Sequence, residues 1–144
     1  MIYYVKGNMF DKAYDVRINT VNCVGVMGAG LALEFKKRYP KMFDEYKHLC
    51  NTGSLGVGKL HSFRADDCLI VNFPTKDHWK NDSKMEYIEA GLRVLRPRMI
   101  TWDSSTTCAM VRLGCGIGKL DWNDVRPLIE KHLGDLPLTI DVYL

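Results

Sequence analysis

Glycine placement constrains this chain more than any other feature. Nine of its twelve glycines fall in three tight triplets: Gly25, Gly28, Gly30; Gly53, Gly56, Gly58; and Gly114, Gly116, Gly118. The first and third triplets each follow a run that reads as a core strand and precede one that reads as a helix. Arg17–Cys23 alternates and then continues apolar, and Thr106–Val111 is β-branched and apolar. After the first triplet, Leu31, Phe35, Tyr39, Phe43, Tyr46 and Leu49 recur at helical spacing, and Pro40 is expected to split them into two helices. After the third, Asp121 can cap a helix whose stripe is Trp122, Val125, Leu128, Ile129 and Leu133. Ile2–Lys6, Lys59–Phe63, Leu69–Phe73 and Leu138–Tyr143 read as further strands. Asp82-Ser83 with Glu86 reads as a capping box opening a helix to about Leu95, before Pro97. Strands alternating with helices predict an α/β layered fold around a largely parallel or mixed sheet.

The 144 residues hold one domain, Met1–Leu144, with no repeat or low-complexity linker. A hydrophobic fraction of 47% excludes disorder. The net charge of +3 is too mild for bulk electrostatics to be the function. The apolar runs fall far short of the ~20 residues of a membrane span, and the N-terminus lacks the order of a signal peptide. Five cysteines without C-x-x-C spacing argue against disulfides and zinc, so no metal and a reducing cytoplasm are expected.

A strand-to-helix edge is where open α/β sheets bind ligands. Glycine lets backbone N–H groups turn toward an anion, and a helix N-terminus adds a favourable dipole. Two such loops on one sheet edge can grip a diphosphate from both sides; the alternative is that the glycines only mark tight turns. The middle triplet, Gly53–Lys59, imitates a P-loop. It continues with Leu60 instead of a magnesium-binding hydroxyl and leads into a strand, so it reads as a turn. Gly25, Gly28 and Gly30 have the glycines of a dinucleotide fold in the wrong order.

Candidate chemical groups gather at the same edge. Asn22 ends the strand that feeds the first loop, and its amide suits a sugar diol; the bland reading is an Asn that stabilises its own turn. Lys76 follows Leu69–Phe73 through Pro74-Thr75, where a lysine can point into a ligand crevice or simply lie on the surface. Trp79, beside His78, can stack on a base or cover the core. Cys23 and Cys115 flank the loops and read as small buried fillers.

Val21–Lys36, Leu113–Trp122 and Phe73–Trp79, taken in order, resemble macrodomains. Phe73–Trp79 is similar to a segment of one branch, which holds the DarG-like enzymes that remove ADP-ribose from DNA and the related terminal ADP-ribose protein glycohydrolases. The resemblance runs from Val5-Lys6-Gly7-Asn8 to Ile140-Asp141-Val142-Tyr143. It implies a three-layer α/β/α fold around a mixed sheet, with ADP-ribose as ligand and no cofactor. Carried over residue by residue, it puts Asn8 near the adenine and Asn22 at the distal ribose. The diphosphate falls to Gly25, Val26, Met27, Gly28, Ala29 and Gly30 on one side. On the other lie Gly114, Cys115, Gly116, Ile117 and Gly118. Lys76, with Asn22, is the implied catalytic pair. Where the protein glycohydrolases carry an aspartate this chain has Gly118, as in the DNA-acting branch. Ala29 stands where that branch often has lysine, and Arg112 replaces a proline common before the second loop.

The expected activity is removal of ADP-ribose from a conjugate, with a DNA base the favoured carrier, by a monomer in the cytoplasm. The bond broken joins C1″ of the distal ribose to its acceptor through an oxocarbenium-like state. Two other classes fit the same loops: a phosphatase acting on ADP-ribose 1″-phosphate, and a reader that binds ADP-ribose without chemistry.

Overall fold

A computed structural model describes residues 1–144. Six strands form one sheet: β1 (Ile2–Val5), β2 (Val16–Val21), β3 (His61–Arg64), β4 (Leu69–Pro74), β5 (Thr107–Val111) and β6 (Thr139–Tyr143). Their spatial order is β1-β6-β5-β2-β4-β3. Every neighbouring pair is parallel except the β3–β4 hairpin. The Asp66-Asp67 turn closes that hairpin. Four helices cover the sheet: α1 (Gly30–Arg38), α2 (Pro40–Asn51), α3 (Met85–Ile100) and α4 (Trp122–Leu133). The result is the expected three-layer α/β/α fold with a mixed sheet.

Alternation along the strands sends side chains into two different cores. One face of the sheet offers Val16, Ile18, Val71, Phe73, Cys108, Met110, Ile140 and Val142 to Ile88, Leu92, Leu95 and Met99 of α3 and Val125, Ile129 and Leu133 of α4. The other face packs Val21, Ile70 and Ala109 under Phe35, Met42 and Tyr46 of α1 and α2. That second face also buries polar groups. Asn19 Nδ2 donates to Asn72 Oδ1 at 3.0 Å and approaches Met27 Sδ at 3.9 Å. The central strands thereby reach the base of the first glycine loop.

Pro40 opens α2 at its first turn, where a missing N–H costs nothing. Pro97 behaves differently from expectation: α3 does not stop near Leu95 but continues to Ile100. Pro97 and Arg93 are both exposed on α3, where a carbonyl that loses its proline-side donor can be hydrated, and the next turn buries Met99 completely. Arg96 holds the same turn by a two-pronged pair with Asp135 at 2.6 and 2.9 Å. The Asp82-Ser83-Glu86 capping box is also absent. Lys84 is the N-cap, without a side-chain hydrogen bond, because Ser83 is drawn inward beneath the second glycine loop. Trp102, in the Pro97–Ser105 stretch, packs against the α3/α4 core. No helix is long and apolar enough to cross a membrane.

Candidate functional site

Strand β2 pairs with β4 along six residues but with β5 only at Val16–Cys108 and Arg17–Ala109. Beyond that point β2 and β5 run on unpaired toward their carboxyl ends. The crevice between them is the wall of a cleft of about 700 Å³, with Thr20 and Val21 on one side and Val111 on the other. All five parallel strands end at this cleft. Asn22 follows β2, Lys76 follows β4, Arg112 follows β5, Tyr143 and Leu144 end β6, and Gly7 follows β1.

The first glycine loop is tied down by one side chain. Asn22 Oδ1 accepts from the N–H of Val24 at 3.1 Å and lies 3.4 Å from the N–H of Val26, while Nδ2 donates to the Val26 carbonyl at 2.8 Å. The Tyr46 hydroxyl, buried under α2, sits 2.8 Å from both Oδ1 and the main-chain oxygen of Asn22. Desolvation pushes that phenol well above its ordinary pKa, so it stays a donor. Asn22 thus lines the cleft while most of its amide holds the loop, which leaves one Nδ2 hydrogen for a ligand. Gly25 turns the chain at φ +81°, close against Lys47 and Cys50 of α2. Helix α1 then starts at Gly30 with no side-chain cap and no acidic residue in its first turn. Leu31 and Ala32 of its first turn line the cleft beside Gly28 and Ala29, and the unpaired N–H groups of a helix's first turn are a ready anion site.

The second loop is held by its own backbone. Gly116 O accepts from Lys119 N–H at 3.1 Å, Gly114 O from Leu120 N–H at 2.9 Å, and Gly118 O from Ser83 N–H at 3.0 Å. Packing is tightest at Gly118: a Cβ there would lie 2.2 Å from Ser83 Oγ and 2.4 Å from the Gly114 oxygen. Gly116, in contrast, has open space where a side chain would go. The two loops meet across the cleft, where Ile117 Cδ1 comes within 3.5 Å of a Cβ position at Gly30.

Lys76 lines the cleft beside Thr75 and Trp79, and its Nζ lies 3.4 Å from the Trp79 carbonyl. Its loop is bonded to the first glycine loop. Cys23 N–H donates to Asp77 O at 3.2 Å, and the Cys23 thiol donates to Lys76 O at 3.3 Å. Burial pushes the Cys23 thiol up to about 11, so it is protonated at neutral pH and serves as filler and donor. Burial raises Cys115 as well, and its thiol points at the Leu113 carbonyl 3.5 Å away.

The cleft brings together Asn22, Val26, Gly28, Ala29, Lys76, Gly114, Gly116, Ile117 and Gly118. Asn8 does not line it. Its Oδ1 caps the 3₁₀ turn Met9–Asp11 by accepting from Phe10 N–H at 2.9 Å. Gly25, Met27, Gly30 and Cys115 shape the loops from behind, with Met27 fully in the core. Sequence reasoning missed Thr20, Leu31, Ala32, Tyr143 and Leu144 as cleft wall. The only signal for the last two was their position at the carboxyl end of a strand. The middle triplet lies away from the cleft, between α2 and β3, as a turn.

A cleft at the split between two parallel strands, walled by two glycine loops, calls for comparison with known proteins. The sequence model of the Macro domain matches residues 18–129. This chain belongs to the macrodomain family. The macrodomain is 41% identical over 145 residues to the DNA ADP-ribosyl glycohydrolase of Mycobacterium tuberculosis, which covers 95% of this chain and 40% of that protein. Its fold superposes on the solved macrodomain of Mycobacterium tuberculosis DarG with a TM-score of 0.91 at 40% identity, over 99% of this chain and 97% of that one. Thermosipho africanus DarTG, solved in complex with ADP-ribose, matches with a TM-score of 0.91 at 32% identity, over 99% of this chain and 41% of that one. This macrodomain spans about 40% of the length of the first curated relatives it matches.

Proposed function

We propose that this macrodomain binds ADP-ribose in the β2/β5 cleft and hydrolyses the bond between C1″ of its distal ribose and a DNA base. One observation carries the reading: a lysine, Lys76, stands at the carboxyl end of β4 in a cleft otherwise built from two glycine loops. The similarity to proteins named DNA ADP-ribosyl glycohydrolase supports the substrate. So does Gly118, since the side-chain position used by the protein-acting branch is filled here by Ser83 and the Gly114 carbonyl.

The two glycine loops take the diphosphate, one through the N-terminus of α1 and the other through its own N–H groups. That fixes the distal ribose at the end of the cleft shared by Asn22 and Lys76. The Lys76 amine donates its lone pair to C1″. The bond from C1″ to the base breaks with its electron pair staying on the base, which takes up the proton that the attacking amine sheds. Water then displaces the lysine at C1″, releasing ADP-ribose and restoring the amine. The ring-opened form of the lysine adduct is an imine, which borohydride reduction fixes in place.

Lys76→Ala is expected to slow release of ADP-ribose from a modified oligonucleotide at least a hundredfold and to leave ADP-ribose affinity within a few-fold. A group used mainly in the transition state affects rate more than ground-state binding. Reduction during turnover should leave ADP-ribose on Lys76 of the parent, read by peptide mass. Equal turnover by parent and variant removes Lys76 from the chemistry. Inorganic phosphate released from ADP-ribose 1″-phosphate, with the oligonucleotide untouched, makes the protein a phosphatase. Tight binding of ADP-ribose with no turnover of any conjugate makes it a reader.

A further inference from the structure

Beside the main cleft lies a second, polar hollow of about 490 Å³, bounded by Asp77, Lys80, Asn81, Asp82, Lys84 and Tyr87. The two share a wall. In the loop between β4 and α3, Lys76 and Trp79 face the cleft, while Asp77 and Lys80 face the hollow. The hollow therefore begins where the proposed leaving group must exit.

Its chemistry is that of a polyanion track. Lys80 and Lys84 form no ion pair, and both are exposed. The hollow also holds two carboxylates, and hydrogen bonds from Asn81 and His78, with Lys84 near enough to help, hold the Asp77 carboxyl below its ordinary range. Asp77 Oδ1 accepts from His78 N–H at 2.7 Å and from Asn81 Nδ2 at 3.2 Å, and Asp82 pairs with Lys119 at 3.7 Å. Each lysine lies over an aromatic ring: Lys80 Nζ is 5.3 Å from the Trp79 ring centroid, and Lys84 Nζ is 5.6 Å from that of Tyr87. Trp79 is 51% exposed and lines the cleft. The loop around it is fixed: the Trp79 carbonyl accepts from Lys76 Nζ at 3.4 Å, His78 Nδ1 accepts from Lys80 N–H at 3.1 Å, and the His78 ring tilts against the indole at 5.3 Å. A ring for a base with a cation beside it for the next phosphate, repeated once, is the pattern by which proteins follow a single strand.

We infer that Trp79, Lys80, Lys84 and Tyr87 form a docking track for the single-stranded DNA that flanks the modified base. This rests on the proposed hydrolase reading and extends it to the carrier. Trp79 stacks on the base next to the modified one, and the two lysines hold the phosphates that follow. Stacking on an exposed indole needs a free base face, so duplex DNA is excluded from the track until it opens.

The test compares two substrates that differ only in the flanking strand: a modified mononucleoside and the same base within a single-stranded oligonucleotide. Parent protein should turn over both, with a lower KM for the oligonucleotide. Trp79→Ala should raise the oligonucleotide KM about tenfold, the effect of losing one stacked base. A double variant, Lys80→Gln with Lys84→Gln, should leave mononucleoside hydrolysis unchanged. On the oligonucleotide, its plot of log kcat/KM against log salt should be less steep by about 1.4, or about 0.7 for each phosphate contact on a single strand. If parent and variants keep the same KM and salt slope on the oligonucleotide, the track is wrong while the hydrolase stands. If the double variant instead slows release from an ADP-ribosylated acidic peptide and spares the oligonucleotide, the surface belongs to a peptide and the inference falls. If parent turns over neither nucleic-acid substrate, the failure lies in the hydrolase reading.

Discussion

The two glycine loops face each other across one cleft, yet they are held by different means. The first is held by side chains from outside it: Asn22 spans its turn, and Tyr46 pins Asn22 from the α2 side. The second is held by its own carbonyls and by contact with Ser83, with no room for a side chain at Gly118. The first loop can therefore be loosened by removing a hydrogen bond, whereas the second fails only when something is forced into it. A polar tether tolerates small changes; close packing does not.

The sharpest break of that comparison is Gly118→Asp. It imports the acidic group of the protein-acting branch into a space already filled. Overpacking of this kind costs about 1–3 kcal/mol, and displacement of the loop should weaken ADP-ribose binding by more than a hundredfold. Thermal denaturation with and without ADP-ribose reads both effects, and a variant with the parent's melting temperature would show that the loop yields freely. Gly116→Glu is next. Its side chain has open space, so the fold should melt as the parent does, while the carboxylate beside the diphosphate should lower affinity about tenfold through repulsion. Isothermal titration of ADP-ribose decides, and unchanged affinity there would move the diphosphate off the second loop. The smallest effect is expected from Tyr46→Phe. Losing one buried hydrogen bond should cost about 1 kcal/mol and weaken ADP-ribose binding only two- to threefold, because Asn22 keeps its bonds to Val24 and Val26. A tenfold loss would mean that Tyr46 carries the first loop alone.

Most of the architecture was legible from local pattern. Short β-branched and apolar runs, one of them alternating, gave every strand within a residue or two, and Pro40 marked the junction of α1 and α2 because proline suits the first turn of a new helix. Pro97 misled for a physical reason. Proline is a local signal, but its cost falls where the freed carbonyl can be hydrated and the following turn buries Met99. The Ser83 capping signature failed similarly: its inward position against Gly114 and Gly118 is a tertiary contact. At the site, glycine spacing found both loops and strand position found Lys76. The turn-stabilising reading of Asn22 was open from the sequence and its bonds to Val24 and Val26 bear it out; its tether to Tyr46 was invisible, since that partner lies 24 residues away on helix α2. The splitting of β2 from β5, which makes the cleft, leaves no mark in the composition of either strand.

The contact between Gly118 and Ser83 also bears on how such a protein can change over generations. An aspartate at 118 cannot be added alone, because it meets the Ser83 hydroxyl and the Gly114 carbonyl at once. Removing the hydroxyl relieves one collision and leaves the other, so the turn from Gly114 to Gly118 has to be rebuilt in the same lineage. Any side chain at position 118 therefore calls for a second, compensating change in the turn before the loop can keep its present shape.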